Sequence, residues 1–323
     1  MFQLGLQIPF FTYPDVPDAQ LFQRVADIAT TAERSGFDSV WVMDHFYSLA
    51  LRGRPATDPM LEGYTLLSGL AARTQRVNLG TLVTGVTYRN PALLAKMVTT
   101  LDIVSAGRAV LGIGAAWYEA EHAGYGFDFP PVRERMDRLE EALQLCRAMF
   151  TEAAPSFDGR YYHIDQALNY PRPVRPGGPP ILIGGTGERR TLRLAARYAD
   201  AWNLPTTPSF EQIPGLLATL ERHCEAEGRD PDSITKTALR TLVIAPTQSA
   251  AERKAAALRA AMGVDEDTFR CRVLAGGPEA IMDQARSYLD LGLDGIFVNL
   301  PDTQDLETVA LAGETLAGVV ASA

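Results

Sequence analysis

The chain has 323 residues, is 46% hydrophobic and carries a net charge of −9, with a pI of about 5.1. This acidic balance, without any Lys/Arg block, excludes the nucleic-acid-binding classes. Apolar runs of only strand length argue against a transmembrane helix, and MFQLGLQIPF lacks the basic leader of a signal peptide. Cys146, Cys224 and Cys271 lie far apart, so we expect reduced thiols in a cytoplasmic protein rather than disulfides.

Strand-like and helix-like runs alternate along almost the whole chain. The candidate strands are LGLQIP (4–9), SVWVMD (39–44), VNLGTLV (77–83), AVLGIGA (109–115), PILIGG (180–185), DAWNLP (200–205), KTALRTLVIA (236–245) and DGIFVNL (294–300). The candidate helices cover about 18–35, 60–73, 91–105, 132–150, a run ending at 198, 210–227, most of the stretch before 294, and the run from about 303. The segment FDGRYYHID (157–165) is typical of a small hairpin or an extended flap.

Eight strands alternating with helices favour a (β/α)₈ TIM barrel. We find no composition break that marks a second domain, so a single domain over residues 1–323 is expected. The alternative is a doubly wound open sheet, which prefers a G-x-G-x-x-G turn after its first strand. Here PFFTYPDVPD follows that strand instead.

Polar groups follow several of these strands, where a barrel holds its active site. Asp44 and His45 come directly after the apolar run Val40–Met43. A histidine is well suited to exchange a proton near neutral pH. The structural alternative is a histidine hydrogen-bonded in a turn that Asp44 caps. The position at a predicted barrel rim favours the functional interpretation.

A glycine-rich turn, GGTGE, follows the fifth strand. Such a turn directs backbone N–H groups at an anion, and late barrel strands often hold phosphate there. An ordinary βα turn is the alternative. Arg189, Arg193 and Arg197 form one helical stripe, which is more typical of a solvated face, although Arg189 is near enough to reach an anionic tail.

Two further segments interrupt the strand pattern. Two glycines in GTLVTGVTYRNP indicate a bulge in the third strand. In GIGAAWYEAEH, Trp117 and Tyr118 suit a wall for a flat heteroaromatic ligand. Glu119, Glu121 and His122 are more typical of the start of a helix than of polar contacts with a ligand. The four histidines form no H-x-H or H-E-x-x-H pattern and no G-x-S-x-G is present, so neither a metal site nor a serine nucleophile is expected.

Three blocks carry a family resemblance: GFDSVWVMDHF, RVNLGTLVTGVTYRNPALLAKMVTTLDIVSAGRAVLGIGAAWYEAEH and PPILIGGTGERRTLRLAARYADAWN. They resemble the luciferase-like monooxygenase superfamily over nearly the whole chain. Within it they are most similar to the actinobacterial branch that uses the deazaflavin coenzyme F420. The resemblance implies a bacterial luciferase-like TIM barrel with insertion segments, a homodimer and a small-molecule substrate.

The resemblance also implies roles for individual residues. His45, preceded by Asp44, would lie beside the reactive ring, and a non-proline cis peptide at Leu82–Val83 would form a bulge behind that ring. The implied cofactor contacts are Leu82, Val83, Thr84, Ala115, Gly184, Gly185, Thr186 and Gly187. The implied substrate pocket is Trp117, Tyr118, Glu119 and Asn203.

The function that follows as a hypothesis is hydride transfer between the deazaflavin C5 and a small organic substrate. The reaction would reduce an activated C=C, C=N or C=O bond or oxidise an alcohol, with His45 handling the proton and Asp44 orienting its loop. The resemblance places an acidic residue of the sugar-phosphate dehydrogenase branch where this chain has Trp117, which argues against that reaction. The alternatives are an FMN-dependent two-component monooxygenase and a cofactor-binding barrel without turnover.

Overall fold

A computed structural model describes residues 2–49 and 55–321 of the chain. Its strands are β1 (Leu4–Ile8), β2 (Ser39–Val42), β3 (Asn78–Thr81), β4 (Thr84–Gly85), β5 (Ala109–Gly114), β6 (Phe157–Asp158), β7 (His163–Ile164), β8 (Ile181–Gly184), β9 (Ala201–Leu204), β10 (Thr235–Ile244), β11 (Val273–Gly276) and β12 (Gly295–Asn299). Eight of them pair in parallel in the order β1-β2-β3-β5-β8-β9-β10-β12, and β12 pairs with β1 again. The predicted (β/α)₈ barrel is therefore confirmed, with all eight predicted strands in its wall.

Helices surround this barrel. They are α1 (Leu21–Ser35), α2 (Gly63–Ala71), α3 (Pro91–Val104), α4 (Glu119–Tyr125), α5 (Val132–Thr151), α6 (Thr191–Tyr198), α7 (Ile213–Glu227), α8 (Gln248–Met262), α9 (Glu266–Arg272), α10 (Pro278–Leu289) and α11 (Leu306–Val320). Local sequence explains their ends. The Asn90 side chain accepts a hydrogen bond from the Ala92 amide at the start of α3, and Pro91 occupies the first helical position. Gly36 ends α1 in the left-handed conformation, which agrees with the predicted end of this helix near residue 35.

Aromatic rings fill the inside of the barrel. Trp41 of β2 stacks on Phe297 of β12 with 5.0 Å between ring centroids, and Phe2 meets Trp41 edge-on at 5.5 Å. A Cβ atom on Gly80 would lie 2.8 Å from the Trp41 ring, so glycine at this position of β3 leaves room for the indole. The apolar run before Asp44 is thus barrel wall and core, as the sequence predicts.

The third strand is interrupted by the predicted bulge. Gly80 of β3 pairs with Val110, and Thr84 of β4 pairs with Ile113, so four steps along one strand face three along the other. The peptide bond between Leu82 and Val83, within this interruption, is cis. A single extra residue on one side of a pairing defines a β-bulge, and both features confirm the sequence predictions.

One strand was missed by sequence analysis. β11 lies in the stretch predicted to be mostly helical and pairs in parallel with Thr241–Ile244 of β10. These residues lie beyond Thr235–Ala238, which pair with β9. β11 therefore continues the sheet past the point where β9 ends. Beside it, α8 and α9 pack on a small separate core that includes Val243 and Phe269.

The segment 157–165 forms the hairpin that the sequence predicts. β6 and β7 form an antiparallel hairpin in which Phe157 pairs with Ile164. Among the described helices, none has the length and apolarity required to cross a membrane. Within residues 2–49 and 55–321, no group of three His, Cys, Asp or Glu side chains is arranged to hold a metal ion.

Candidate active site

A cleft of about 650 Å³ opens at the carboxyl ends of the barrel strands. This volume is within the usual range for small-molecule sites. The predicted residues that line it are Asp44, His45, Leu82, Val83, Thr84, Ala115, Trp117, Gly184, Gly185 and Asn203. Lining residues that sequence analysis did not single out include Gln7, Met43, Leu49, Tyr88, Leu139, Thr191, Leu239 and Arg272. The structure thus brings ten predicted residues, from five barrel strands and the loops after them, to one cavity.

His45 is held from behind by a carboxylate of α4. Its Nδ1 lies 2.8 Å from Oε2 of Glu121, and its side chain is 12% exposed while that of Glu121 is fully buried. The Tyr88 hydroxyl donates to the same oxygen at 2.8 Å. The other oxygen, Oε1, accepts the backbone N–H groups of Phe46 and Tyr47 at 2.6 and 2.8 Å. Glu121 therefore binds both the imidazole and the loop that carries it.

This hydrogen bonding keeps Glu121 ionised. Burial alone raises the pKa of the Glu121 carboxyl group. The hydrogen bond of His45, together with the donors of Tyr47 and Tyr88, opposes burial and brings the net pKa below its ordinary value. A carboxylate that receives several donors is stabilised in its charged form, so a negative charge lies beside the imidazole.

Asp44 points to a different partner. Its carboxylate is bound by the Arg89 guanidinium through two hydrogen bonds, of 2.6 and 2.9 Å. Arg89 also donates to Glu62 at 2.6 Å. Burial raises the pKa of Asp44, and the Arg89 charge opposes this effect. Asp44 thus fixes the loop after β2 through Arg89, whereas the imidazole of His45 is oriented by Glu121.

The bulge forms part of the cleft floor. The Leu82 carbonyl accepts a hydrogen bond of 3.3 Å from the Gln7 side chain, and Gln7 in turn accepts one of 3.0 Å from Asn299. The Thr84 hydroxyl is engaged by Tyr64 at 2.8 Å and is fully buried. The Thr84 hydroxyl therefore serves the fold, while the half-buried Leu82 and Val83 offer apolar side chains to a ligand.

The glycine turn borders the same cleft. Gly185 has a φ of 126°, which strongly favours glycine, and its N–H donates to the Asn203 carbonyl at 3.2 Å. The backbone N–H groups of Thr186 and Gly187 donate to no other described residue. Neither of these two lines the cleft itself. Arg189 is exposed beyond them, whereas Arg193 and Arg197 form ion pairs with Glu140 on α5.

Trp117 lines the cleft, but the two residues that follow it do not. The indole is 52% exposed, stacks on Tyr118 with 5.2 Å between ring centroids, and meets the His45 ring edge-on at 5.6 Å. Glu119 is the first residue of α4 and is exposed outside the cleft. Residues two apart lie on opposite sides of a helix, which is why Glu121 is buried against His45 and Glu119 is not. Tyr118 and Glu119 therefore lie outside the cleft lining, and their contact with a substrate stays a prediction.

The remaining predicted contacts lie on the strands opposite the bulge. Asn203 of β9 is 3% exposed and donates from its side-chain amide to the Thr237 hydroxyl at 2.9 Å. Its side-chain Oδ1 accepts no hydrogen bond from any described residue. Asn203 therefore supplies a polar group to the cleft.

Sequence analysis missed two residues that organise this site, Glu121 and Arg89. Glu121 is 76 positions from His45 along the chain. The detectable signal was the helical spacing, because Glu121 and His122 occupy the inward side of a short helix whose other residues are mostly exposed. Arg89 follows the bulge and could have been paired with Asp44 only from the barrel geometry.

Comparison with known proteins identifies related sequences. A sequence model described as luciferase-like monooxygenase matches residues 2–290. A curated relative from Nakamurella multipartita, named F420-dependent glucose-6-phosphate dehydrogenase, is 31% identical over 320 residues, with 91% of each chain covered.

Solved structures share the fold. An F420-dependent secondary alcohol dehydrogenase in complex with an F420-acetone adduct has a TM-score of 0.81 at 21% identity, with 99% of each chain covered. A riboflavin lyase with modified FMN and riboflavin also has a TM-score of 0.81, at 17% identity, covering 98% of this chain and 91% of its own. These matches show that the barrel fold is shared. Because both identities are low, they do not identify the cofactor of this chain.

Proposed function

The chain belongs to the luciferase-like monooxygenase family, and from this membership we propose that it is an F420-dependent oxidoreductase acting on a small organic substrate. The reaction is the oxidation of an alcohol, or the reduction of an activated C=O, C=C or C=N bond. The relative at 31% identity is named as an F420-dependent enzyme, which supports this cofactor. The observation that carries the proposal is the His45 imidazole, held by a buried carboxylate at the edge of an apolar cleft.

The cleft fits a flat ring with an anionic tail. A Cβ atom on Gly114 would lie 3.0 Å from a Val83 methyl group, and one on Gly184 would lie 3.1 Å from the other. Glycines at these positions keep the floor beside Val83 flat enough for a ring to approach. The backbone N–H groups of Thr186 and Gly187 donate to no described residue, so they can donate to a phosphate beside the cleft.

The deazaflavin, when bound, supplies the hydride chemistry. The residues of this chain position it and move the proton. Leu82, Val83 and Ala115 would hold the ring, and the glycine turn would bind the phosphate. His45 takes the substrate hydroxyl proton in the direction of oxidation and returns it in the direction of reduction. Trp117 packs beside the substrate and limits its contact with water.

The experiment is a cofactor and substrate screen with the purified chain. Oxidised F420 is mixed with 2-propanol or glucose 6-phosphate, and reduced F420 with acetone, an activated enone or a cyclic imine. The visible absorbance of the oxidised deazaflavin reports turnover in either direction. FMN, with reductant, is the matched control in the same screen, and calorimetry gives both affinities.

We expect F420 to bind more tightly than FMN and at least one of the alcohol, carbonyl, enone or imine probes to change the deazaflavin absorbance. Tight binding of FMN with none of F420 would overturn the cofactor assignment in favour of a flavin monooxygenase. Tight binding of F420 with no turnover of any probe would favour a cofactor-binding barrel. Turnover of glucose 6-phosphate alone would assign the substrate class named for the relative.

A further inference from the structure

We propose that Glu121 is a positioning residue that fixes His45 as the Nδ1–H tautomer, so that Nε2 is the atom that exchanges the proton. This inference rests on the proposed function for its catalytic consequence. The tautomer itself is a property of the protein alone. Asp44, although adjacent to His45 in sequence, has no part in this arrangement because its carboxylate is bound by Arg89.

The acceptor geometry of Glu121 determines which atom of the imidazole carries hydrogen. A carboxylate has two oxygens, each with two lone pairs. Oε1 receives the backbone N–H groups of Phe46 and Tyr47, and Oε2 receives the Tyr88 hydroxyl and lies 2.8 Å from Nδ1 of His45. An ionised carboxylate cannot donate, so Nδ1 must carry the hydrogen of this bond.

The other imidazole nitrogen remains for the substrate. His45 lines the cleft, and its Nε2 makes no hydrogen bond to any residue in 2–49 or 55–321. A neutral imidazole with hydrogen on Nδ1 has an unshared electron pair on Nε2. Nε2 can therefore take a proton, and the adjacent Glu121 charge stabilises the imidazolium that results.

Two further contacts fix this arrangement before any ligand enters. Thr87 binds Nε2 of His122 at 2.7 Å, and Nδ1 of His122 binds the Tyr118 carbonyl at 2.8 Å. These bonds hold α4 against the loop after β4, so Glu121 meets His45 from a rigid support. Preorganised partners of this kind lower the cost of orienting a catalytic group.

The first test is nitrogen NMR of protein labelled at histidine. The chain has four histidines, and His45→Ala assigns the His45 signals. We expect resting His45 to carry hydrogen on Nδ1 and none on Nε2. A resting Nε2–H tautomer would overturn the proposal, whatever the activity of the protein.

The second test is Glu121→Gln. The two backbone N–H groups select the carbonyl end of the glutamine, which turns its NH₂ group toward Nδ1. Nδ1 must then accept, so His45 should convert to the Nε2–H tautomer, while the signals of His163 and His223 stay in place. Turnover of the reacting probe should fall by about 10²–10⁴-fold. Asp128→Asn, at an exposed carboxylate just after α4, is the matched control and should change neither tautomer nor rate.

A double variant separates positioning from general destabilisation. If Glu121 acts through His45, Glu121→Gln should cost turnover far less in a His45→Ala background than in the parent. Equal losses in both backgrounds would assign Glu121 a purely structural role. Should the Glu121 variant fail to fold, the parent spectrum alone still decides the tautomer. An Nδ1–H tautomer with no turnover of any probe would leave the positioning inference standing and remove the proposed function.

Discussion

Arg89 binds Asp44, the residue before His45, through two N–H···O bonds of 2.6 and 2.9 Å. The Asp44 side chain is fully buried and that of Arg89 is 10% exposed. Bidentate pairs of this kind have strong geometric specificity. The pair therefore sets where the loop after β2 leaves the barrel.

The first prediction is that Arg89→Met destabilises the protein strongly. It would leave the buried Asp44 carboxylate without its partner, and breaking such a pair costs about 3–5 kcal/mol. Urea unfolding at neutral pH measures the loss. Adding Asp44→Asn to Arg89→Met should restore part of it, because the unpaired charge is then gone.

The control for this prediction is a surface ion pair. Arg197 is 47% exposed and lies 3.5 Å from Glu140. Arg197→Met should change the free energy of unfolding by no more than about 0.5 kcal/mol. Similar losses from the Arg89 and Arg197 variants would contradict the structural role given to Asp44.

The second prediction concerns His45→Ala, which should lower the hydride-transfer rate by roughly 10²–10⁴-fold, the usual scale of general acid–base catalysis. Cofactor affinity should fall much less, because the proposed phosphate contacts lie on the glycine turn. Stopped-flow absorbance at saturating F420 measures the rate, and calorimetry measures the affinity. An alanine variant that reacts at the parental rate would remove His45 from proton transfer.

The third prediction is a pH dependence that involves Glu33 of α1. Burial raises the pKa of Glu33, but the backbone N–H groups of Arg76, Gln75 and Val77 bring it below the ordinary value of 4.5. A lowered carboxyl pKa stabilises the fold above that value, and this stability is lost as the pH falls through the folded pKa. Glu33→Gln should thus cost about 1–3 kcal/mol at pH 7. The difference should shrink below about pH 4.5.

Unfolding of the Glu33 variant across pH checks this prediction against exposed Glu221. Glu221→Gln should be nearly neutral at every pH. A Glu33 effect that is independent of pH would point to lost packing rather than to a lost charge.

The fourth prediction compares two glycines. A Cβ on Gly112 of β5 would lie 1.9 Å from the Thr81 carbonyl oxygen, which is backbone next to the bulge. Gly112→Ala should displace β3 and destabilise the protein by about 3 kcal/mol, the upper range of overpacking costs. Gly215 in α7 has no atom within 4 Å of such a Cβ, so Gly215→Ala should stabilise by about 0.5–1 kcal/mol. Thermal unfolding of both variants should show opposite shifts, and a tolerated Gly112 alanine would refute the close approach.

The barrel was predictable because each strand repeats one local signal. The apolar run at Val40–Val42 marks a strand buried on both faces, and a glycine such as Gly36 marks the helix end that precedes it. The bulge was predictable for the same reason, since Gly80 and Gly85 flank it in sequence. Hydrophobic periodicity and glycine placement are local patterns, so they can be recognised in a single sequence.

The hydrogen-bond partners of the site residues were not predictable, because they come from loops that are distant in sequence. The neighbours Asp44 and His45 take different partners, Arg89 and Glu121, which come from separate loops and helices of the barrel. β11 was missed for a related reason. Four residues between two helices resemble a helix continuation, and they become a strand only because β10 extends past β9.

The short strand β11 has a consequence for how such proteins diversify. The segment from α8 to β11 packs on a core of its own, which contains Val243 and Phe269, yet it brings Arg272 to the cleft. Replacing this one module would alter the chemistry presented to an incoming molecule without repacking the ring of strands. The barrel strands can thus stay unchanged while substrate selectivity changes, through replacement of the single segment between β10 and α10.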